Sequence, residues 1–527
     1  MSFPWLTVLW VLPVVGSVLV AALPSSSGVP EEGRQGPSRR TQAPKQIALG
    51  FSVVTLVIAG GLAISYGSND SGKRKFTEET DWIKLFGAHY SLGLDGIGLT
   101  LVLLTAILAP IVIVASWTDG DDSPRGPKAL FAWMLALEGL SLGVFSATDV
   151  FLFYVFFEAT LIPVYFMVAG YGGPDRVRAA VKFLLFSLAG GLIMLASVIG
   201  LYVESAKTKG GPTYLLSDLD KIDFGTAAGR WMFLGFFIAF AIKAPMFPVH
   251  TWLPDTTEQA TPGTSVMLVA VLDKVGTFGM IRFGLELFPE ASRWATPVVI
   301  VLAIFSILYG AFMAIGSKNI MRLIGYTSVS HFGFIVLGIF VMNSQGLSGA
   351  NFYMFNHGLS TAAMFLVAGF LISRRGSAMI DDFGGVEKVA PVLAGLFLIS
   401  GLSMLALPGL SPFVSELQVM VGAFVHSYWA AAFAVPGIVL VAIYVLWLYQ
   451  RLMTGPVREG VVGMRDLGAR EITALAPLLV LMVVLGFFPK PLLSVINPSV
   501  DVTMSQVGKS DPRPPVHVAD STGEARR

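Results

Sequence analysis

What most constrains this chain is a recurring run of about twenty apolar residues, the length that carries a helix across a bilayer core of about 30 Å. Such runs fall near 4–23, 47–66, 94–116, 128–147, 149–170, 178–203, 231–250, 263–286, 296–315, 319–341, 350–373, 391–425, 429–450 and 471–489. They predict an all-α membrane protein of about fourteen transmembrane helices. Composition agrees: 54% of residues are hydrophobic and 13% charged, about half the charged share of soluble domains. The lipid bilayer is therefore the expected surrounding for most of the surface. The first run begins near Trp5 with no basic residue before it, so it reads as a retained span and not a cleaved leader.

Two runs carry their own breakers. The run 391–425 is too long for one straight span, and its centre reads Leu407-Pro408-Gly409-Leu410-Ser411-Pro412. The seventh run ends in Pro245 and Pro248. Broken helices are expected at spans 7 and 12. Basic residues in short loops set the orientation. Arg125, Arg176, Arg178, Lys318, Arg322, Arg374, Arg375, Lys388, Arg451 and Arg458 fall in loops after odd-numbered spans, whereas the loops after spans 4, 8, 10 and 12 hold only Arg293. The odd loops then face the cytoplasm and both termini the outer, periplasmic side of a bacterial plasma membrane. Loops 67–93 and 204–230 are longer and depart from this bias. The polar segment 24–46 suggests no role, and the polar tail 498–527 is expected to be mobile.

An internal repeat is legible. Glu158 and His331 stand 173 residues apart, as do Lys243 and Glu416. The same shift lays span 4 on span 9 and span 8 on span 13. An odd number of spans separates the copies, so the two five-helix units have opposite topology, a design that transporters combine with broken helices around a midplane site. The expected organisation is spans 1–3 within 1–127, a first repeat over 128–286 (spans 4–8), a second over 296–453 (spans 9–13), span 14 at 470–490, and the tail.

An ionisable group in hydrocarbon costs at least about 2.5–3.5 kcal/mol, so each one is a functional candidate unless it pairs structurally. Glu158 follows Phe151-Leu152-Phe153-Tyr154-Val155-Phe156-Phe157, which offers no local partner. Lys243 lies well inside span 7, too deep to snorkel easily, and the prolines beside it free backbone carbonyls for water. Lys274 lies mid-span beside Asp273, which is left undecided because neighbours on a helix point about 100° apart. His331 follows serines and a threonine, and His357 follows Asn356. These two, with His250, are relay candidates or packing residues. Glu416 follows the break in span 12 and suits an exit group. Glu138 is a secondary candidate, Asp149 reads as a boundary residue, and Lys182, Lys318 and Arg322 read as snorkelling ends.

Several classes are excluded. A net charge of +1 gives no pull on nucleic acid. With no cysteine, disulfides and cysteine-ligated clusters are ruled out. The histidine spacing forms no metal motif, and there is no phosphate loop or nucleotide-binding βαβ unit, so this chain does not oxidise NADH itself.

Taken together, Leu94-Asp95-Gly96-Ile97, the Phe-Tyr-x-x-Phe-Glu segment ending at Glu158, the Lys-Ala-Pro-Met-Phe-Pro-Val-His-Thr-Trp-Leu-Pro run 243–254, Lys274-Val-Gly, Ser330-His331-Phe-Gly, Asn356-His357-Gly and Leu410-Ser-Pro-Phe-Val-Ser-Glu416 resemble the antiporter-like membrane subunits of respiratory complex I and their relatives. Glu416, where the L and N types carry a lysine, and the lack of a long lateral helix favour the M-type branch. The resemblance implies a Glu158–Lys243–Lys274–Glu416 proton axis with His250, His331 and His357 as relay members. It also implies pumping driven by quinone reduction elsewhere, with NADH, flavin, iron–sulfur clusters and quinone held by partner subunits. The expected neighbours are L- and N-type membrane-arm subunits. The rival readings are a stand-alone cation/proton antiporter subunit, the membrane arm of a membrane-bound hydrogenase, and a scaffold without an ion path.

Overall fold

The structure is a computed structural model and describes residues 3–24, 39–67, 72–121, 123 and 125–511. The middle of segment 24–46 and the end of the C-terminal tail, for which the sequence suggests no role and mobility respectively, lie outside the described residues.

The chain opens with helices α1 (Trp5–Ala22) and α2 (Arg39–Tyr66), followed by an antiparallel hairpin of β1 (Lys75–Ile83) and β2 (Ala88–Leu94). Helices α3 (Gly96–Ala115), α4 (Gly126–Ser146), α5 (Val150–Tyr171, in two pieces that meet at Thr160) and α6 (Arg176–Ser205) come next. Then come α7 (Thr226–Lys243), a short α8 (Trp252–Gln259) and α9 (Pro262–Leu285). The second half holds α10 (Pro289–Gly316), α11 (Ile320–Phe340) and α12 (Ser344–Arg375), then α13 (Pro391–Met404), α14 (Ser411–His426) and α15 (Tyr428–Met453). It closes with α16 (Ala469–Phe487) and α17 (Lys490–Val507).

Among the described residues, thirteen helices are long and apolar enough to span a membrane. The long run 391–425 is divided between α13 and α14. Proline and glycine explain both breaks. After Lys243, Pro245 and Pro248 have no N–H to continue the ladder, and the backbone turns before α8. Between α13 and α14, Gly409 takes φ +96°, a left-handed conformation that costs glycine least.

Three helices form the centre. The apolar windows of α9 and α11 are 100% buried and that of α12 is 94% buried, against 28% for α2 and 33% for α1. Shielding from lipid lets these helices carry polar residues: α11 holds Thr327, Ser328, Ser330 and His331, and α12 holds Asn351, Asn356, His357, Ser360 and Thr361. Small residues allow close approach: a Cβ on Gly310 would meet Ser330 N at 2.6 Å, and one on Gly333 would meet Ala303 O at 2.7 Å.

The helical expectation holds with two amendments. Loop 67–93 contains the hairpin, whose Glu78 takes the N–H groups of Leu6 (2.7 Å) and Thr7 (3.1 Å) at the start of α1. The tail expected from 498 starts later, because α17 continues to Val507. Its Ile496, Val500, Thr503, Met504 and Val507 fall on one helical face and are buried against the bundle.

Ionic clusters tie the helix ends. On the hairpin side, Arg282 at the end of α9 bonds Asp95, the N-cap of α3, and donates to Glu286 at 2.8 Å. Arg74 also reaches Glu286, at 3.5 Å, and Thr503 of α17 donates to it at 2.8 Å. On the opposite side, Asp255 of α8 accepts from Lys182 at 2.6 Å and Arg322 at 2.7 Å. Lys182 and Arg322 therefore pair with a carboxylate on the broken helix, where the sequence suggested snorkelling. Asp149 is a cap, as its boundary position suggests, accepting from Leu152 N at 2.9 Å and His89 N at 2.9 Å.

Candidate functional site

The breaks place titratable side chains inside the bundle. Lys243 is the last residue of α7, 1% exposed, its Nζ 5.3 Å from the Phe157 ring and 5.5 Å from that of Phe183. Aromatic faces attract a cation without neutralising it. Glu158 is the penultimate residue of the first piece of α5, and its carboxylate lies over α6, where a Cβ on Gly191 would stand 1.7 Å from Oε1. Glu158 and Lys243 act on each other electrostatically but form no ion pair among the described residues.

The chain then crosses to α9, which has π-helical turns over Met267–Leu272 and Met280–Leu285 on either side of Lys274–Gly279. Such turns often mark functional positions. Lys274 is fully buried, and its Nζ donates to Val269 O at 2.7 Å and meets His357 Nδ1 at 2.8 Å. His357 Nε2 lies 3.1 Å from Thr361 Oγ1. The His357 and His331 rings are 5.3 Å apart, and those of His331 and Tyr353 6.0 Å apart. The Tyr353 hydroxyl donates to Glu416 Oε2 at 2.9 Å. Lys274, His357, His331, Tyr353 and Glu416 thus form a buried row from α9 through α12 and α11 to α14.

Of the residues singled out in the sequence, His250 stands apart. Its ring packs against Phe247, Tyr309 and Tyr326, and its nitrogens have no hydrogen-bond partner among the described residues. Glu138 is buried in α4 and accepts from Ser52 of α2 at 3.1 Å, away from the row. Tyr353 escaped the sequence reading because a tyrosine on an apolar helix face carries no charge pattern. Asn356, beside His357, donates to Ser411 O at 3.0 Å and so holds α12 to the break at α14. Arg282 also escaped, although Glu286 four residues on is a spacing that pairs on a helix.

Residues 147–441 match the family model described as NADH:quinone oxidoreductase/Mrp antiporter, TM. That stretch contains Glu158, Lys243, Lys274, His331, His357 and Glu416. The chain belongs to this family. It is 50% identical to NADH-quinone oxidoreductase subunit M of Mycobacterium tuberculosis, covering 100% of this chain and 98% of the relative. The subunit M of Rhodobacter capsulatus is 36% identical over 94% of this chain and 95% of its own length. The fold superposes on a chain of respiratory complex I from Thermus thermophilus with bound NADH at TM-score 0.84 and 31% identity, covering 96% of this chain and all of the other. A chain of the Mrp complex from Dietzia, 20% identical, shares the fold at TM-score 0.80 over 96% of this chain and 100% of that one. The M-type branch expected from the sequence is the one these relatives bear out.

Proposed function

We propose that this chain is the proton-translocating M-type subunit in the membrane arm of a respiratory NADH–quinone oxidoreductase. The observation that carries the reading is the buried row Lys274–His357–His331–Tyr353–Glu416, with Lys243 and Glu158 at its other end. Holding so many titratable groups out of water is costly, and the cost is understandable where hydrogen ions must pass.

Protons enter from the cytoplasm toward Lys243 and Lys274. An ionised Glu158 attracts the Lys243 ammonium, and a neighbouring subunit that draws off Glu158 frees the Lys243 proton. That proton passes through Lys274, His357 and His331 to Glu416 and leaves on the outer side. The two broken helices belong to inverted repeats over 128–286 and 296–453. L- and N-type subunits flank the chain. NADH, flavin, iron–sulfur clusters and quinone are bound by partner subunits, and this chain has no redox centre. The hairpin and both termini face outward.

Substituting Lys243→Ala in membranes that retain the assembled complex tests the assignment. Proton pumping and coupled NADH–quinone activity are expected to fall sharply. Near-normal pumping removes Lys243 from the path.

A further inference from the structure

Between Lys243 and the Lys274–His357 pair the row described above has a gap, and one carboxylate faces it. Asp273 is 0% exposed, and neither of its oxygens has a hydrogen-bond partner among the described residues. Its backbone follows the π-helical turn, donating to Leu268 O five residues back at 3.0 Å. The side chain's direction follows from its neighbours. Gly276 is three residues on and shares a face with Asp273. That face packs on the end of α7: a Cβ on Gly276 would stand 2.6 Å from Phe240 O and Ala244 N, beside Lys243. Lys274, about 100° further round, faces α12 and His357 instead. The charge of Asp273 is felt at both lysines, although it forms an ion pair with neither among the described residues.

A buried carboxylate kept for structure offsets its desolvation with hydrogen bonds, and Asp273 makes none. We propose that Asp273 is the proton-relay group that joins Lys243 to Lys274. In the forward step the Lys243 ammonium gives H⁺ to the Asp273 carboxylate, leaving a neutral amine and a carboxylic acid. That acid then gives H⁺ to the neutral amine of Lys274, restoring the carboxylate. Each step conserves charge and breaks one X–H bond as it makes another.

The inference rests on the proton-path reading, so Lys243→Ala serves as its control. The test compares Asp273→Asn and Asp273→Glu in membranes, with assembled complex measured on native gels, pumping by a pH-sensitive dye, and carboxyl bands by redox-induced infrared difference spectroscopy. Asp273→Asn keeps shape but cannot cycle a proton, and pumping is expected to fall on the order of a hundredfold at normal complex content. Asp273→Glu is expected to restore most of it and to shift a carboxyl C=O band that Asp273→Asn abolishes. Wild-type pumping in Asp273→Asn, with Lys243→Ala inactive, overturns this inference alone. Normal pumping in both variants overturns the reading beneath it. If Asp273→Asn fails to assemble, the infrared comparison decides: a band that moves in Asp273→Glu supports the role, and one that stays refutes it.

Discussion

Replacing Arg282 by methionine probes the cluster that closes the hairpin side of the bundle. Arg282 is 5% exposed, between Asp95 at 4% and Glu286 at 6%. Methionine fills much of the volume but leaves both carboxylates without their shared cation. Breaking a buried ion pair from one side costs about 3–5 kcal/mol. Arg74 remains 3.5 Å from Glu286, and Thr503 and Gly98 still donate to Glu286 and Asp95 at 2.8 Å each, so the lower end applies. About 3 kcal/mol is a factor of about a hundred in the folded-to-unfolded ratio. Because large membrane complexes unfold irreversibly, the assay is the half-life of assembled complex at fixed temperature, with its abundance in the membrane. Arg282→Met should shorten the one and lower the other. The triple variant Asp95→Asn, Arg282→Met, Glu286→Gln should recover much of the loss, since removing a whole buried ionic cluster is often close to neutral. A single variant as durable as wild type, or a triple variant no better than the single, refutes the reasoning.

Three further outcomes follow from contacts already given. Asp149, outside the spans, is pushed up to about 6 from an ordinary carboxylate value, chiefly by burial, against hydrogen bonds from His89 and Leu152. A raised acid favours the folded state below its unfolded pKa and loses that advantage as pH rises through about 6. Stability is therefore expected to fall between pH 5 and 7.5, by about 1.4 kcal/mol, and the profile of Asp149→Asn to be flatter in thermal inactivation scans. Tyr353→Phe removes the donor to Glu416, and pumping should drop by about tenfold with assembly intact, as a bond to a charged group worth at least about 1.4 kcal/mol implies; an unchanged pumping rate removes the tyrosine from the path. Gly191→Ala puts a methyl where the Glu158 carboxylate lies, so pumping should fall as the carboxylate is displaced, and a fully active variant refutes that placement.

The sequence made some of this visible and hid the rest for physical reasons. Apolar length and local breakers sufficed for the spans and for the interruptions at Pro245 and Pro408, because both depend on neighbours in the chain. Isolated charges such as Glu158, Lys243 and Lys274 stood out because hydrocarbon penalises them. Tyr353 did not, since its importance lies in reaching Glu416, 63 residues away. The hairpin hid in a loop whose charged residues masked any alternation. Helix α17 hid because prolines at 491 and 498 weaken its local signal, and packing against distant helices compensates. His250 carries the same chemistry as His331, and only tertiary contacts separate it from the row.

One consequence concerns the order in which the protein is made. Ser499 takes the N–H of Gly96, 403 residues earlier, at 2.9 Å, and Arg293 donates to Val507 O at 2.6 Å. Early helices can enter the bilayer as they leave the ribosome, yet the start of α3 and the end of α9 wait for partners synthesised hundreds of residues later. Until α17 arrives, Glu286 lacks Thr503. Such long loop closures slow maturation and leave an interval in which quality-control proteases meet an unfinished subunit.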